Sequence, residues 1–217
     1  MLYIYCNNEV FKEIAESLHE SFDFLKIPNR IINEIDASSN DLHLMLGLNN
    51  PIANLPQRYI AYQLEQTQDT TSQSWFSEDY LRRLRSAIEI WDYSLRNIQN
   101  CKKYPALPPT KYVPVSYSPV LTRIKQPSEN DKKYDILFYG SDCPRRHTLI
   151  QRLRHEGLRV YYSTYKCWDN ERDQKISESK IVLNIHFYPK PILETTRLSY
   201  LIANGGFIIS ERSLDPI

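Results

Sequence analysis

Between Lys180 and Glu211 the sequence KIVLNIHFYPKPILETTRLSYLIANGGFIISE points to one order of local structure: strand, loop, helix, strand. Ile181, Leu183, Ile185 and Phe187 alternate with Val182, Asn184 and His186, which predicts an apolar strand with two polar groups on one face. Leu193, Arg197, Tyr200, Leu201 and Asn204 follow helical spacing, and Gly205 stands where a left-handed C-cap belongs. Phe207 to Ser210 is a second short apolar strand. Successive strands in such a unit run parallel, and ligands of parallel sheets sit beyond the strands' carboxyl ends. His186, Glu194 and Glu211 fall at that end, with Arg197 one turn into the helix on the side of Glu194. Taken singly, these residues also suit an i,i+3 ion pair and a core histidine satisfied by a backbone group; their convergence is what favours a site.

The same alternation runs through the rest of the chain. Leu2 to Tyr5 reads as a first strand, and Asn7 or Asn8 can cap a helix whose Phe11, Ile14, Ala15, Leu18 and Phe22 form one apolar stripe. Further strands are predicted at Arg30 to Ile35, Leu42 to Leu48 and Tyr59 to Leu64. A helix then begins at Ser77, a short strand covers Ile90 to Tyr93, and another helix ends near Lys103. Six of the thirteen prolines lie between Pro105 and Pro127, with one short strand, Tyr112 to Tyr117, among them. Proline has no backbone donor, so one layered unit is expected to end there. A second alternation starts at Tyr134: strand Ile136 to Tyr139, turn Gly140-Ser141-Asp142, helix Pro144 to Glu156, stop at Gly157, strand Arg159 to Tyr162, and a short helix from Glu171. The expected fold is α/β, with two Rossmann-like lobes whose parallel sheets face each other across a cleft. Residues 1–115 form the first lobe, 116–133 a proline-rich linker and 134–217 the second lobe.

Composition narrows the function classes. A net charge of +1 offers no field for a nucleic-acid backbone, and no apolar run approaches the ~18 residues of a membrane span. Met1 opens directly on the strand-like LYIYC without a basic leader, so a soluble, cytoplasmic protein is expected. Cys6, Cys101, Cys143 and Cys167 are scattered without CxxC spacing, which predicts reduced thiols rather than zinc or a redox pair. Residues 1–115 hold 11 Lys/Arg against 14 Asp/Glu, and 116–217 hold 16 against 12, a mild basic excess that suits an anionic ligand.

The turn at Gly140 is a second candidate for chemistry. Pro144 suits a first helical turn and Ser141 or Asp142 can cap it, but Arg145 and Arg146 place two positive charges at the helix's positive end. That costs ~0.3–1 kcal/mol per charge unless an anion such as a phosphate shares the helix N-terminus. The alternative is a pair of solvated surface arginines. GxGxxG, P-loop and nucleophile-elbow patterns are missing, and no strand ends in DxD, so any phosphate chemistry is expected to proceed without metal. In the first lobe Asn7, Asn49, Asn50, Gln63 and Glu65 lie at strand ends. Glu65 is the candidate general base for an acceptor hydroxyl, because partial burial raises a carboxyl toward neutrality; the alternative is an exposed strand end. Tyr59, Tyr62 and Trp75 are candidate flat faces for a sugar ring.

DILFYGSDCPRR, LNIHFYPKPILETTRLSYLIANGGFIISE, YIAYQLEQ and EIWDYS together resemble the glycosyltransferases of the GT-B fold, in the group labelled CgeB-like or glycosyltransferase family 1. The resemblance implies transfer of a sugar from a nucleoside diphosphate donor to a glycan or small hydroxyl acceptor, with no metal or other cofactor. It implies that Gly140, Ser141, Arg145 and Arg146 meet the diphosphate and His186 the sugar-phosphate region, while Glu194, Arg197 and Glu211, with Asn184 beside them, line the donor pocket. Glu65 and His186 are then the catalytic pair. Many relatives place a glutamate three residues after the arginine to hold the ribose; Tyr200 stands there, so Glu194 or Glu211 must serve or the contact is absent. Such folds also continue past the FIISE strand, so the resemblance implies a second lobe without its closing segment. A non-catalytic module keeping the fold is the second reading, and a small regulatory domain recognising a phosphorylated partner the third.

Overall fold

The computed structural model describes residues 1–67, 76–164, 167–189 and 191–215. Trp75, one of the expected aromatic faces, lies outside them. The chain divides into two compact units, one holding Met1–Val120 with the last few residues from Leu214, the other Leu121–Ser213. The architecture is mixed α/β, with one parallel sheet in each unit, compatible with two Rossmann-like lobes.

In the first unit the strands are β1 (Leu2–Tyr5), β2 (Asn29–Ile32), β3 (Leu42–Leu46), β4 (Tyr59–Gln63), β5 (Glu89–Asp92) and β6 (Thr110–Tyr112), with helices α1 (Lys12–Phe24), α2 (Glu78–Arg85) and α3 (Leu95–Cys101). The sheet order is β2-β1-β3-β4-β5-β6, every pair parallel. β2 is added on one side of β1 and β3 on the other, so the winding reverses between β1 and β3. Asn8 accepts from the Val10 amide at 2.9 Å and so caps the 3-10 turn that leads into α1. Ser77 caps α2 through the Tyr80 amide, and Ser94 caps α3 through that of Asn97. One face of the sheet packs Met45, Tyr59, Ala61 and Ile90 against Tyr80, Leu81 and Leu84 of α2. Full burial of each such aliphatic side chain contributes about 1.5–3 kcal/mol.

Strand boundaries fall within a few residues of expectation with one exception: the strand expected at Tyr112 to Tyr117 is Thr110–Tyr112. The Val113 amide still reaches the Asp92 carbonyl at 2.9 Å, but Pro114 has no amide and the ladder stops. Tyr59 and Tyr62 are not free aromatic faces. They are 2 % and 3 % exposed, and their hydroxyls donate to the carbonyls of Arg83 and Val113.

The second unit has strands β7 (Tyr134–Tyr139), β8 (Val160–Ser163), β9 (Ser179–Asn184) and β10 (Ile208–Ser210), and helices α4 (Pro144–His155), α5 (Asp169–Ser177) and α6 (Thr195–Ala203). The order is β10-β9-β7-β8, again parallel throughout. Gly157 and Gly205 end α4 and α6 with φ of 84° and 67°, the stop expected at the first and the left-handed C-cap expected at the second. Leu137, Val182, Leu198, Tyr200 and Leu201 form its core. β9 is shorter than expected: it ends at Asn184, and Ile185 to Phe187 leave the sheet. The reason is lateral capture of the backbone. Arginine side chains take the carbonyls of Ile185 and His186, and Glu211 takes the His186 amide at 2.8 Å.

Among the described residues no helix is long and apolar enough to cross a membrane, and no group of three or more His, Cys, Asp or Glu side chains is arranged to hold a metal ion. All four cysteines are free thiols, Cys101 and Cys167 buried.

Candidate functional site

In the second unit the winding reverses between β7 and β9, since β8 lies on one side of β7 and β9 on the other. Open parallel sheets bind ligands in the crevice beyond such a reversal, because the loops diverge there and leave room between strand ends. Gly140 follows the last residue of β7 and Asn184 is the last residue of β9. Gly140 has a φ of 140°, and a Cβ there would lie 2.7 Å from a terminal nitrogen of Arg197. Absence of a side chain at 140 thus leaves space for the guanidinium, which also lies 5.2 Å from the centre of the Tyr139 ring.

Asn184, fully buried, gathers the neighbouring groups. Its Nδ2 donates to Glu194 at 2.9 Å and to the Ser210 hydroxyl at 3.0 Å, and its Oδ1 meets Arg197 at 3.4 Å. The expected i,i+3 ion pair between Glu194 and Arg197 is replaced by this arrangement. Glu194, in the N-cap position of α6, turns its carboxylate away from the helix toward Asn184 and His186 instead of capping it. Arg197 keeps one long hydrogen bond. Two positions before it in sequence, the Thr195 hydroxyl is buried without a hydrogen-bond partner among the described residues.

His186 is 2 % exposed, and both ring nitrogens face oxygen: Nδ1 lies 2.8 Å from Glu194 and Nε2 3.1 Å from the Glu211 carbonyl. Two acceptors require two N–H donors, so the geometry favours the imidazolium. Burial opposes the charge, but the Glu194 carboxylate outweighs it and the histidine pKa is raised. Burial likewise pushes Glu194 up, and its hydrogen bonds from His186 and Asn184 bring it below its ordinary value. As placed, His186 has no free nitrogen with which to take a proton from a substrate.

The two arginines of α4 are not uncompensated charges. Arg146, 3 % exposed, donates to the Ile185 and Ser141 carbonyls and stacks against Phe138 and Phe187. Arg145 forms an ion pair with Glu211 and reaches the His186 carbonyl at 3.2 Å. Neither alternative, an arginine pair awaiting an anion or two solvated arginines, describes Arg146. Ser141 and Asp142 do not cap α4. Cys143 stands at the N-cap without a side-chain bond, and the Asp142 carboxylate accepts from Tyr162 instead. Gly140, Arg146, Asn184, His186, Glu194, Arg197 and Glu211 are therefore joined around the ends of β7 and β9, with Arg145 at the outer edge and Ser141 contributing its carbonyl.

In the first unit Glu65 follows β4 and accepts from Asn49 Nδ2 at 3.0 Å. Burial raises its pKa to about 7, against the lowering from Asn49. Behind it lies a network that sequence reasoning missed. Asp92, fully buried at the end of β5, accepts from Gln63 at 2.9 Å, from Asn97 at 3.1 Å and from the Ser94 amide at 2.8 Å. Burial pushes Asp92 to about 7 as well, its hydrogen bonds notwithstanding. The available signal was an acid closing a predicted strand immediately before a serine cap. Asn7 stands apart, lining with Asn8, Lys12 and Asn33 a separate depression of about 320 Å³. Asn50 contributes its carbonyl to Arg83.

No protein-family model matches the chain. It is similar to uncharacterized proteins of Acanthamoeba polyphaga mimivirus. Protein L140 is 24 % identical over 182 residues, 83 % of this chain and 58 % of that protein. Protein L137 is 32 % identical over 114 residues, 50 % of this chain and 15 % of its own length. Protein L138 is 29 % identical over 108 residues, 49 % of this chain and 12 % of its own. The chain thus spans from 12 % to 58 % of these three relatives.

Proposed function

We propose that the protein is a glycosyltransferase that takes a sugar from a nucleoside diphosphate donor bound by the second unit and passes it to a hydroxyl acceptor, without a metal. The observation that carries this reading is the space kept open at Gly140 for the Arg197 guanidinium, at the point where the strand order reverses. Arg197 is half-buried and its guanidinium makes one long hydrogen bond among the described residues, so it retains donors for a phosphate oxygen. The Thr195 hydroxyl, in the same first turn of α6 and without a hydrogen-bond partner among the described residues, adds a further polar group.

In this mechanism the bond from the anomeric carbon to the diphosphate oxygen breaks, and the acceptor oxygen forms the new bond. Negative charge grows on the departing diphosphate, where the Arg197 guanidinium stabilises it. The acceptor's proton passes to Glu65, whose pKa near 7 suits a base at neutral pH. His186 acts as a fixed cation rather than a base, holding Glu194 and Glu211 in place. Four free thiols fit a reducing compartment, in keeping with action in the cytoplasm.

Calorimetry with UDP, GDP, dTDP and CDP sugars tests the reading: one donor class binds, and Arg197→Ala weakens it at least tenfold. Absence of heat with every nucleotide removes the proposal. The second reading, a non-catalytic module, draws on the engaged state of Arg145, Arg146 and His186. It predicts donor binding without hydrolysis or transfer, and no effect of Glu65→Gln.

A further inference from the structure

We infer that Asp92 is a positioning residue for Glu65, acting through the side-chain amides of Gln63 and Asn97. The inference rests on Glu65 being the base of the proposed transfer, but the geometry behind it stands independently. Gln63 Nε2 donates both to Asp92, at 2.9 Å, and to the Glu65 carbonyl, at 2.8 Å. Asn97 Nδ2 donates both to Asp92, at 3.1 Å, and to the same carbonyl, at 2.9 Å. The oxygens of the two amides face the other way. Gln63 Oε1 accepts from the Glu65 amide at 2.5 Å, and Asn97 Oδ1 from the Thr67 amide at 2.9 Å.

An amide side chain has two orientations differing by exchange of oxygen and nitrogen, and its partners select one. The Asp92 carboxylate is acceptor-only when ionised, so it forces both NH2 groups toward itself. Both amide oxygens are then turned onto the loop that carries Glu65. One buried group at the end of β5 thereby holds the Glu65 backbone by its N–H and its C=O, and leaves the carboxylate to meet Asn49. Buried networks of this kind are all-or-none, because one inverted amide leaves donors facing donors. The Tyr80 hydroxyl, 3.3 Å from Gln63 Oε1, and Thr67 Oγ1, 2.9 Å from Asn97 Oδ1, reinforce the same orientation.

The test uses the full chain and two kinds of readout. Hydrogen exchange of the Glu65 and Thr67 amides in the unaltered protein is expected to be slowed roughly a hundredfold or more relative to a free peptide. Unprotected amides overturn the inference without any variant. Asp92→Asn replaces one of the two acceptor oxygens by a donor, so at least one of the two bridging amides loses its partner, and exchange at Glu65 or Thr67 rises at least tenfold while Leu44 in the adjacent strand is unchanged. Glu65 followed by carboxyl-carbon NMR moves toward an ordinary carboxylate midpoint. Loss of the Asp92 charge alone could shift that midpoint, so Asn97→Ala, which keeps the charge and removes one bridge, serves as the second variant and stands alone if Asp92→Asn does not fold. A Glu65 midpoint unmoved in folded Asn97→Ala overturns the inference. In the transfer assay Asp92→Asn lowers kcat at least tenfold with donor KM unchanged. Loss of donor binding in the unaltered protein removes the glycosyltransferase reading, whereas the exchange and NMR results judge Asp92 separately.

Discussion

The Arg197 guanidinium occupies space that a side chain at position 140 would need: a Cβ on Gly140 would sit 2.7 Å from it, at a φ of 140° that L-residues rarely adopt. Gly140→Ala therefore meets two penalties, one in the backbone and one against Arg197. We expect it to destabilise the second unit by about 1–3 kcal/mol in urea unfolding, and to weaken donor binding as much as Arg197→Ala does. In an Arg197→Ala background only the backbone part should remain. Strict additivity of the two substitutions would show that the contact is not made in solution.

The His186–Glu194 pair predicts a stability window. A histidine whose folded pKa is raised stabilises fully below its ordinary value of 6.5, and this is lost as pH rises through the folded value. A carboxyl whose folded pKa is lowered stabilises above its ordinary 4.5, and this is lost as pH falls through the folded value. Their joint contribution is largest between pH 4.5 and 6.5. The loss in stability caused by His186→Gln should peak in that interval; a loss independent of pH would contradict the paired imidazolium.

Glu65 carries the opposite sign. Its folded pKa of about 7 exceeds the ordinary 4.5, so the folded state favours the proton and the group's stabilisation is present below pH 4.5 and lost as pH rises to about 7. Removing the charge with Glu65→Gln should raise stability by about 3 kcal/mol at pH 8 and by little at pH 4.5, while abolishing sugar transfer and sparing donor binding. Equal melting shifts at the two pH values would place the carboxylate in water.

Arg146 is the structural arginine of the pair. Arg146→Ala leaves the Ile185 and Ser141 carbonyls without their donors and empties the space beside Phe138, which should cost about 3 kcal/mol in chemical unfolding. Arg146→Lys restores a charge but not the planar fork and should recover only part of the loss. Arg145→Ala, at the exposed ion pair with Glu211, should cost less than about 1 kcal/mol. The reverse ranking would mean that the buried guanidinium is not engaged as described.

The β/α alternation, a cap at Asn7 or Asn8, the helix start at Ser77, the glycine stops at 157 and 205, and the nearness of His186 and Glu194 after one strand were all legible in the sequence. Each depends on residues within a turn or two of one another, where side-chain period and backbone preference act directly. For Glu65 the sequence left two readings open, a carboxyl raised toward neutrality and an exposed strand end, and burial in the folded chain favours the first.

What the charges do was decided only by the tertiary structure. Arg145 meets Glu211 across 66 positions and Arg146 meets Ile185 across 39, because β9 and β7 are neighbours in a sheet whose order the local pattern does not specify. The Asp92 network likewise exists only because β4 and β5 lie side by side and bring Gln63 and Asp92 together across 29 positions. Periodicity acts between consecutive residues and marks where a polar group stands along a strand; the partner of a buried charge is set by which distant strand lies next to it.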